Sequence, residues 1–201
     1  MVSKGEFLER PALVPNKTDV LEGLWHRGDK KPPCLLVPPL PSQGSMDHVV
    51  LAEMAWALAM AGHATLRFNF RGVGASQGER GNTKACLDDA RAALKLLLEN
   101  TGARVAVVAG VLSGADVALG LGGKTVAGRI LLNPPTLPRK QSGAKRLLVL
   151  LTEDAEDGRA LEDATRKLGG VPRVVSGSDV AFRKGLPEFG RLAAEWCAGL
   201  A

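Results

Sequence analysis

The residues that most directly suggest chemistry are five consecutive positions, 110–114, which read GVLSG. The two outer glycines match a G-x-S-x-G nucleophile elbow, in which a serine on a sharp strand-to-helix turn attacks a carbonyl carbon. The central position here is Leu112, and a hydrocarbon side chain cannot act as a nucleophile. The pattern therefore predicts the frame of an elbow without its reactive group.

Ser113 is the neighbouring hydroxyl that could replace the missing nucleophile. If Ser113 were the centre of the elbow, the flanking positions would be Val111 and Ala115 instead of two glycines. Val111 would then crowd a turn in which strand and helix approach closely. We therefore expect Ser113 to cap the following helix. Because an elbow holds its centre in a strained conformation, we also expect that the turn has relaxed or that Leu112 is buried.

The elements that must position these residues follow from hydrophobic patterning. Buried strands separated by amphipathic helices predict a three-layer α/β/α sandwich with a mainly parallel, doubly wound sheet. With no repeat or linker, we expect one domain over residues 1–201, and we give no structural weight to residues 1–7. The predicted strands are 21–26 (at the sheet edge), 34–37, 64–70, 105–109, 129–132, 147–151 and 172–176, and the predicted helices are 46–60, 84–100, 113–121, 161–168 and 188–198.

Composition excludes several classes of partner. Apolar residues make up 45% of the chain and charged residues 23%, which is typical of a globular protein. Aromatic residues make up only 4% and the net charge is +5, so we expect no nucleic-acid partner. The most apolar helical stretch, 49–60, contains Glu53 and is too short to span a bilayer, so we expect no membrane insertion.

The cysteines indicate the compartment. Cys34, Cys86 and Cys197 are odd in number and widely spaced, which argues against a disulfide framework or a zinc site and fits a reducing cytosol. No histidine or cysteine accompanies the acidic residues that could suggest a metal site, which are Asp88, Asp89, Glu153, Asp154, Glu156 and Asp157. We therefore expect a cytoplasmic protein that holds no metal and no cofactor.

Three stretches resemble the α/β-hydrolase superfamily, and in particular a small bacterial branch without a cap domain. Residues 44–47 read GSMD, as in that branch, and residues 66–78 read LRFNFRGVGASQG, close to its LRFNFRGVGxSxG signature. The glycines around Leu112 match the rim of the elbow. The resemblance implies an α/β-hydrolase-like fold with no cap domain.

The same resemblance implies that the catalytic triad is lost. Active members carry a serine on the elbow, an acid after a late strand and a histidine near the C-terminus. In this chain the serine position is Leu112, and the acid position within TEDAE at 152–156 is Ala155, or Asp154 if the placement slips by one residue. The histidine position is Val180, in GSDVAF at 177–182, which resembles the family pattern GxDHFF.

The histidines and the loop after residue 37 support this interpretation. His26, His48 and His63 all precede the elbow, so none lies where the base is expected. The branch typically reads HPHP after this strand, whereas residues 38–41 read PPLP. Prolines have no N–H with which to stabilise an oxyanion. The predicted pocket is therefore apolar.

These observations predict a catalytically inactive protein that acts by binding, most simply as a cytosolic protein–protein interaction or regulatory module. The alternatives are a weak serine hydrolase or esterase that uses Ser113, and a carrier of an apolar small ligand. Arg139, Lys140, Lys145 and Arg146 form the one local concentration of basic residues. We expect this run to lie near the pocket. The predicted binding surface comprises Pro39, Leu40, Leu112 and Val180, with Arg139, Lys140 and Arg146 nearby.

Overall fold

The centre of the molecule is a twisted eight-stranded sheet. A computed structural model describes residues 8–140 and 146–200, so residues 1–7 and Lys145 of the predictions lie outside the described part. The strands are β1 Arg10–Asn16, β2 Asp19–His26, β3 Lys30–Val37, β4 His63–Phe68, β5 Ala106–Val111, β6 Val126–Leu132, β7 Leu147–Thr152 and β8 Val171–Val175. Their spatial order is β1-β2-β4-β3-β5-β6-β7-β8. The pairs β1–β2 and β2–β4 are antiparallel, and the others are parallel.

Helices cover both faces of this sheet. They are α1 Val49–Met60, α2 Thr83–Thr101, α3 Gly114–Gly120, α4 Gly158–Lys167 and α5 Leu186–Ala198. Helices α1 and α5 pack over one buried cluster, and α2, α3 and α4 pack over the other. The predicted three-layer α/β/α fold is confirmed, and no cap domain interrupts it in the described residues. None of these helices is both long and apolar enough to cross a membrane.

The prediction was wrong at the first edge of the sheet. Residues 21–26 belong to β2, and β1, which was not predicted, forms the edge. Pro11 and Pro15 mask β1 in the sequence, because proline lacks the N–H that a central strand needs. An edge strand tolerates it, because one of its sides has no ladder to complete. The helix predicted from residue 46 also begins later, at Val49.

That later start follows from a network that joins residues 44–47 and 66–78, the two stretches that carry most of the resemblance. The Arg67 guanidinium donates to the two carboxylate oxygens of Glu9 at 2.6 and 2.5 Å and to the Met46 carbonyl at 2.7 Å. The Asn69 side-chain oxygen accepts a hydrogen bond from the Met46 N–H at 2.8 Å. The backbone at Met46 is therefore held by β4 instead of entering the helical ladder.

The parallel strands bring the candidate residues to the carboxyl end of the sheet. Strands β3, β5, β6 and β7 all end there, where parallel sheets usually form their sites. The amino end of the sheet holds the beginnings of the same strands, including Arg146 immediately before β7. A strand of this length separates the two ends by about 20 Å.

Candidate functional site

The elbow lies between β5 and α3, and Leu112 stands at its centre. Leu112 has a φ of +50°, in the left-handed region that favours glycine because glycine has no Cβ. Its N–H donates to the Leu132 carbonyl at 2.9 Å, and its own carbonyl accepts from the Ala115 N–H at 3.0 Å. The turn has therefore not relaxed. The Leu112 side chain is partly buried against the cluster beneath α1 and α5.

The glycines on either side explain why the turn keeps this shape. A Cβ on Gly110 would lie 2.7 Å from the Gly114 carbonyl oxygen and 2.8 Å from the Ala118 Cβ. A Cβ on Gly114 would lie 2.2 Å from the Pro38 carbonyl oxygen. Both positions therefore require glycine on steric grounds, whatever residue stands between them. This packing places Leu112 at the centre of the elbow.

The Ser113 hydroxyl makes two hydrogen bonds to the loop that follows β3. It is 8% exposed and has a helical φ of −61°. Its hydroxyl accepts from the Leu40 N–H at 2.9 Å and donates to the Gln43 side-chain oxygen at 2.5 Å. Ser113 occupies the N-cap position of α3, as predicted, but its side chain makes no capping hydrogen bond to the start of that helix. The described part of the chain offers Ser113 no hydrogen bond to an imidazole or a carboxylate, the groups that activate a serine.

The hydrogen bond from the Leu40 N–H to Ser113 also occupies a backbone donor of the loop after β3. In this fold class an N–H from the loop after β3 stabilises the oxyanion, together with the N–H after the nucleophile. Pro39 and Pro41 have no N–H, so Leu40 supplies the donor at this point of the loop. That donor is already bonded to the Ser113 hydroxyl.

An open depression of about 640 Å³ covers the elbow and contains all three positions that the sequence resemblance assigns to the triad. Leu112, Ala155 and Val180 line it together, and Val180 is 50% exposed. The alternative acid, Asp154, is exposed and does not line it. The remaining lining is Gln43, Ser113, Asn133, Pro134, Pro135, Glu156, Asp157 and Leu161.

The histidines are engaged elsewhere. The Nδ1 atoms of His26 and His63 lie 3.1 Å from the Thr65 hydroxyl and 2.9 Å from the Pro32 carbonyl oxygen, respectively. The His48 ring packs edge-on against Phe182, with 5.5 Å between the ring centroids. Burial lowers the pKa of His48 and of His63, so both favour the neutral form. None of the three lines the depression.

The other predicted binding residues do not gather at this site. Pro39 is buried and Leu40 packs against the cluster beneath α2, and neither lines the depression. Arg139 is exposed, and Lys140 lines a separate shallow pocket beside α3. Arg146 lies at the amino end of the sheet, where its guanidinium donates to the Gly199 carbonyl at 3.1 Å. The prediction that Arg146 lies near the pocket was wrong, because Arg146 precedes the start of β7 whereas the elbow follows the end of β5.

Two of the lining residues that the sequence analysis missed, Asn133 and Gln43, make hydrogen bonds that shape the site. Asn133 has a φ of +40°, and its side-chain nitrogen donates to the Thr152 hydroxyl at 2.9 Å. Its side-chain oxygen accepts from the Thr152 N–H at 2.9 Å, so it joins the ends of β6 and β7. The signal was an asparagine between a buried strand and two prolines. Gln43 carried no signal of its own, since only the fold brings it to Ser113.

In the described residues, no cluster of three or more histidine, cysteine, aspartate or glutamate side chains is arranged to hold a metal ion. Glu156 and Asp157 are exposed at the rim of the depression. The lining combines apolar side chains such as Leu112, Leu161 and Val180 with polar ones that include Gln43, Ser113 and Asn133.

The fold and the elbow define this chain as an α/β-hydrolase-fold protein without a cap. Residues 42–158, more than half of the chain, match the family described as serine aminopeptidase, S33, and the chain belongs to that family. The superfamily predicted from the sequence is thus confirmed. No curated protein is a significant match in sequence.

Several solved structures share the fold. An alpha-beta serine hydrolase homologue from Coxiella burnetii is 23% identical with a TM-score of 0.78, covering 92% of this chain and 96% of that chain. An a/b serine hydrolase without lid from Xanthomonas campestris is 20% identical with a TM-score of 0.77, covering 95% and 94%. Est1E from Butyrivibrio proteoclasticus, solved with ferulic acid bound, is 12% identical with a TM-score of 0.80, covering 94% and 98%. At these identities the likeness is one of fold.

Proposed function

We propose that this chain is a non-catalytic member of its family that binds a cytosolic partner protein through the depression over the elbow. The observation that carries the proposal is Leu112, which occupies the strained centre of an intact elbow with a φ of +50°. The backbone retains the geometry that presents a nucleophile, but the side chain presented is a hydrocarbon.

The surroundings of Leu112 support the same interpretation. The nearest hydroxyl, on Ser113, is held between Leu40 and Gln43 and has no base beside it. A catalytic serine needs a base within hydrogen-bond reach and a third group to orient that base. Ala155 and Val180 occupy the lining where those two groups are expected, and neither can transfer a proton.

The shape of the depression suits binding of an apolar side chain. Its volume of about 640 Å³ falls within the ordinary range for ligand pockets. Leu112, Val180 and Leu161 supply apolar contact surface, while Pro134 and Pro135 stiffen one wall. Because the site is open, an apolar anchor presented by a folded partner could reach it. A carrier role for a small apolar ligand would use the same lining.

The first experiment separates binding from catalysis. We expect no covalent labelling of the wild-type chain by a fluorophosphonate probe and no turnover of short p-nitrophenyl esters. The variant Leu112→Ser should remain inactive, because a new serine there gains no base. Appreciable turnover by Leu112→Ser would contradict the proposed placement of Val180 and Ala155.

The second experiment tests the binding surface. A partner captured from the native cytosol and identified by mass spectrometry would be purified, and its affinity measured by calorimetry. Leu112→Asp and Val180→Asp should each weaken that binding strongly, because a carboxylate would be buried in an apolar contact. Val171→Asp is the matched control, since Val171 is 39% exposed on β8 and lies outside the depression. Equal affinities for all variants would refute the surface.

A weak serine hydrolase that uses Ser113 is the second candidate. It is favoured by the family match and by the hydroxyl of Ser113 in the lining. Fluorophosphonate labelling that occurs in the wild type and disappears in Ser113→Ala would establish this candidate and reject the non-catalytic one.

A further inference from the structure

The outer face of α1 carries an apolar line that the rest of the described chain does not cover. Val49, Trp56 and Met60 are 51%, 52% and 45% exposed, and we call these three residues the outer stripe. Their spacing of seven and four residues places them on one side of the helix, opposite the face that packs on the sheet. Glu53, the only charged residue in α1, lies on the same side of the helix, where its Oε1 is 3.1 Å from the Cβ position of Gly190 in α5. A helix at a protein surface ordinarily carries polar residues on its solvent side.

We propose that a second copy of the chain covers the outer stripe, with the two α1 helices packed antiparallel about a two-fold axis. A two-fold interface uses the same patch on both copies, so the patch must be complementary to itself. A straight apolar line along a helix satisfies this condition. In the antiparallel arrangement, Val49 of each copy faces Met60 of the other, and the two Trp56 rings lie beside the axis.

The charges at the two ends of α1 select this direction. Asp47 precedes the helix and, although it lies 3.4 Å from Arg67, its side chain is 70% exposed. Lys30 lies at the other end, where its Cδ is 3.1 Å from the Cβ position of Gly62. Antiparallel packing brings each Asp47 toward the Lys30 of the other copy and also opposes the two helix dipoles. Parallel packing would bring like charges together.

The surroundings of the outer stripe form a suitable rim. Helix α5 packs beside α1, and its exposed Arg191 is already paired with Glu188 and Glu195. An apolar centre within a polar rim is the usual anatomy of a protein interface. The twelve residues of α1 span roughly 18 Å. The rest of the roughly 800 Å² per copy that a stable dimer needs must come from this rim.

The mass of the chain in solution tests the proposal. Light scattering after size-exclusion chromatography should give twice the chain mass for the wild type and the single mass for Trp56→Glu. Circular dichroism checks that the variant remains folded. Val171→Glu is the control, since it places the same charge on an exposed valine of β8 and should stay dimeric. A wild type that is monomeric at all concentrations would overturn the proposal and leave the outer stripe to a different partner.

Cross-linking tests the direction. Cys34, Cys86 and Cys197 are fully buried, so introduced surface thiols report alone. A mixture of Val49→Cys and Met60→Cys should form a disulfide-linked dimer on oxidation with copper phenanthroline, whereas each variant alone should form almost none. Efficient cross-linking of Val49→Cys to itself would overturn the antiparallel arrangement.

Discussion

Replacing Leu112 by glycine and by alanine isolates the strain stored in the elbow. Both changes remove the same partly buried side chain from the cluster beneath α1, so that loss is nearly equal in the two variants. The variants then differ in how well each residue tolerates a φ of +50°. We expect Leu112→Gly to be more stable than Leu112→Ala, the reverse of the usual order.

The magnitude follows from two opposing terms. A left-handed backbone costs a residue with a Cβ roughly 1–2 kcal/mol. Glycine, in turn, loses about 0.4–1 kcal/mol more than alanine through the entropy of its unfolded chain. The difference favours glycine by on the order of 1 kcal/mol, which corresponds to a Tm shift of roughly 2–4 °C for a domain of this size.

Urea unfolding followed by circular dichroism measures this difference as a shift in midpoint at constant slope. Leu96 provides a matched control, because it is a partly buried leucine inside α2, with ordinary helical backbone. There the alanine variant should be the more stable one by about 1 kcal/mol. If Leu112→Ala were also more stable than Leu112→Gly, the elbow would not hold a left-handed residue and the reasoning would fail.

Two further predictions concern the packing of the elbow and the buried imidazole. Gly114→Ala should destabilise the fold by about 3 kcal/mol in the same urea assay, because the alanine Cβ would lie 2.2 Å from the Pro38 carbonyl oxygen. Gly122→Ala is the control and should be nearly neutral, because no atom lies within 4 Å of the Cβ position of Gly122. Burial lowers the pKa of His48 from its ordinary 6.5, so the free energy of unfolding should be full at neutral pH and decline as the pH falls below 6.5 toward the folded pKa. The decline should be shallower in His48→Gln, since the variant keeps only one of the two described histidines whose pKa is lowered, His63. Parallel curves for variant and wild type would contradict the assignment.

The fold could be predicted because its signals are local. Strands buried on both faces give unbroken apolar runs, and the glycines at 110 and 114 record a close backbone approach. Strand β1 escaped because its prolines are tolerated only at an edge, and its position at the edge is a property of the assembled sheet.

The site was harder to predict because its contacts span long distances along the chain. The Ser113 hydroxyl meets Leu40 and Gln43, which lie 73 and 70 positions away. Helix-capping preferences predict that the Ser113 hydroxyl bonds to the start of α3, and they could not anticipate that Leu40 and Gln43 bind this hydroxyl instead. Arg146 was misplaced for a related reason, since neighbours of a strand can lie at either of its ends. Cys34 and Cys197, far apart in sequence, have sulfur atoms only 3.7 Å apart.

The hydrogen bond from the Leu40 N–H to Ser113 also ranks the molecules that could enter the depression. An ester carbonyl that used the Leu40 N–H would have to displace the Ser113 hydroxyl from it, while a plain alkyl group would break no polar contact. If the depression binds a partner as proposed, we therefore expect it to select against the very functional group that a working esterase recognises.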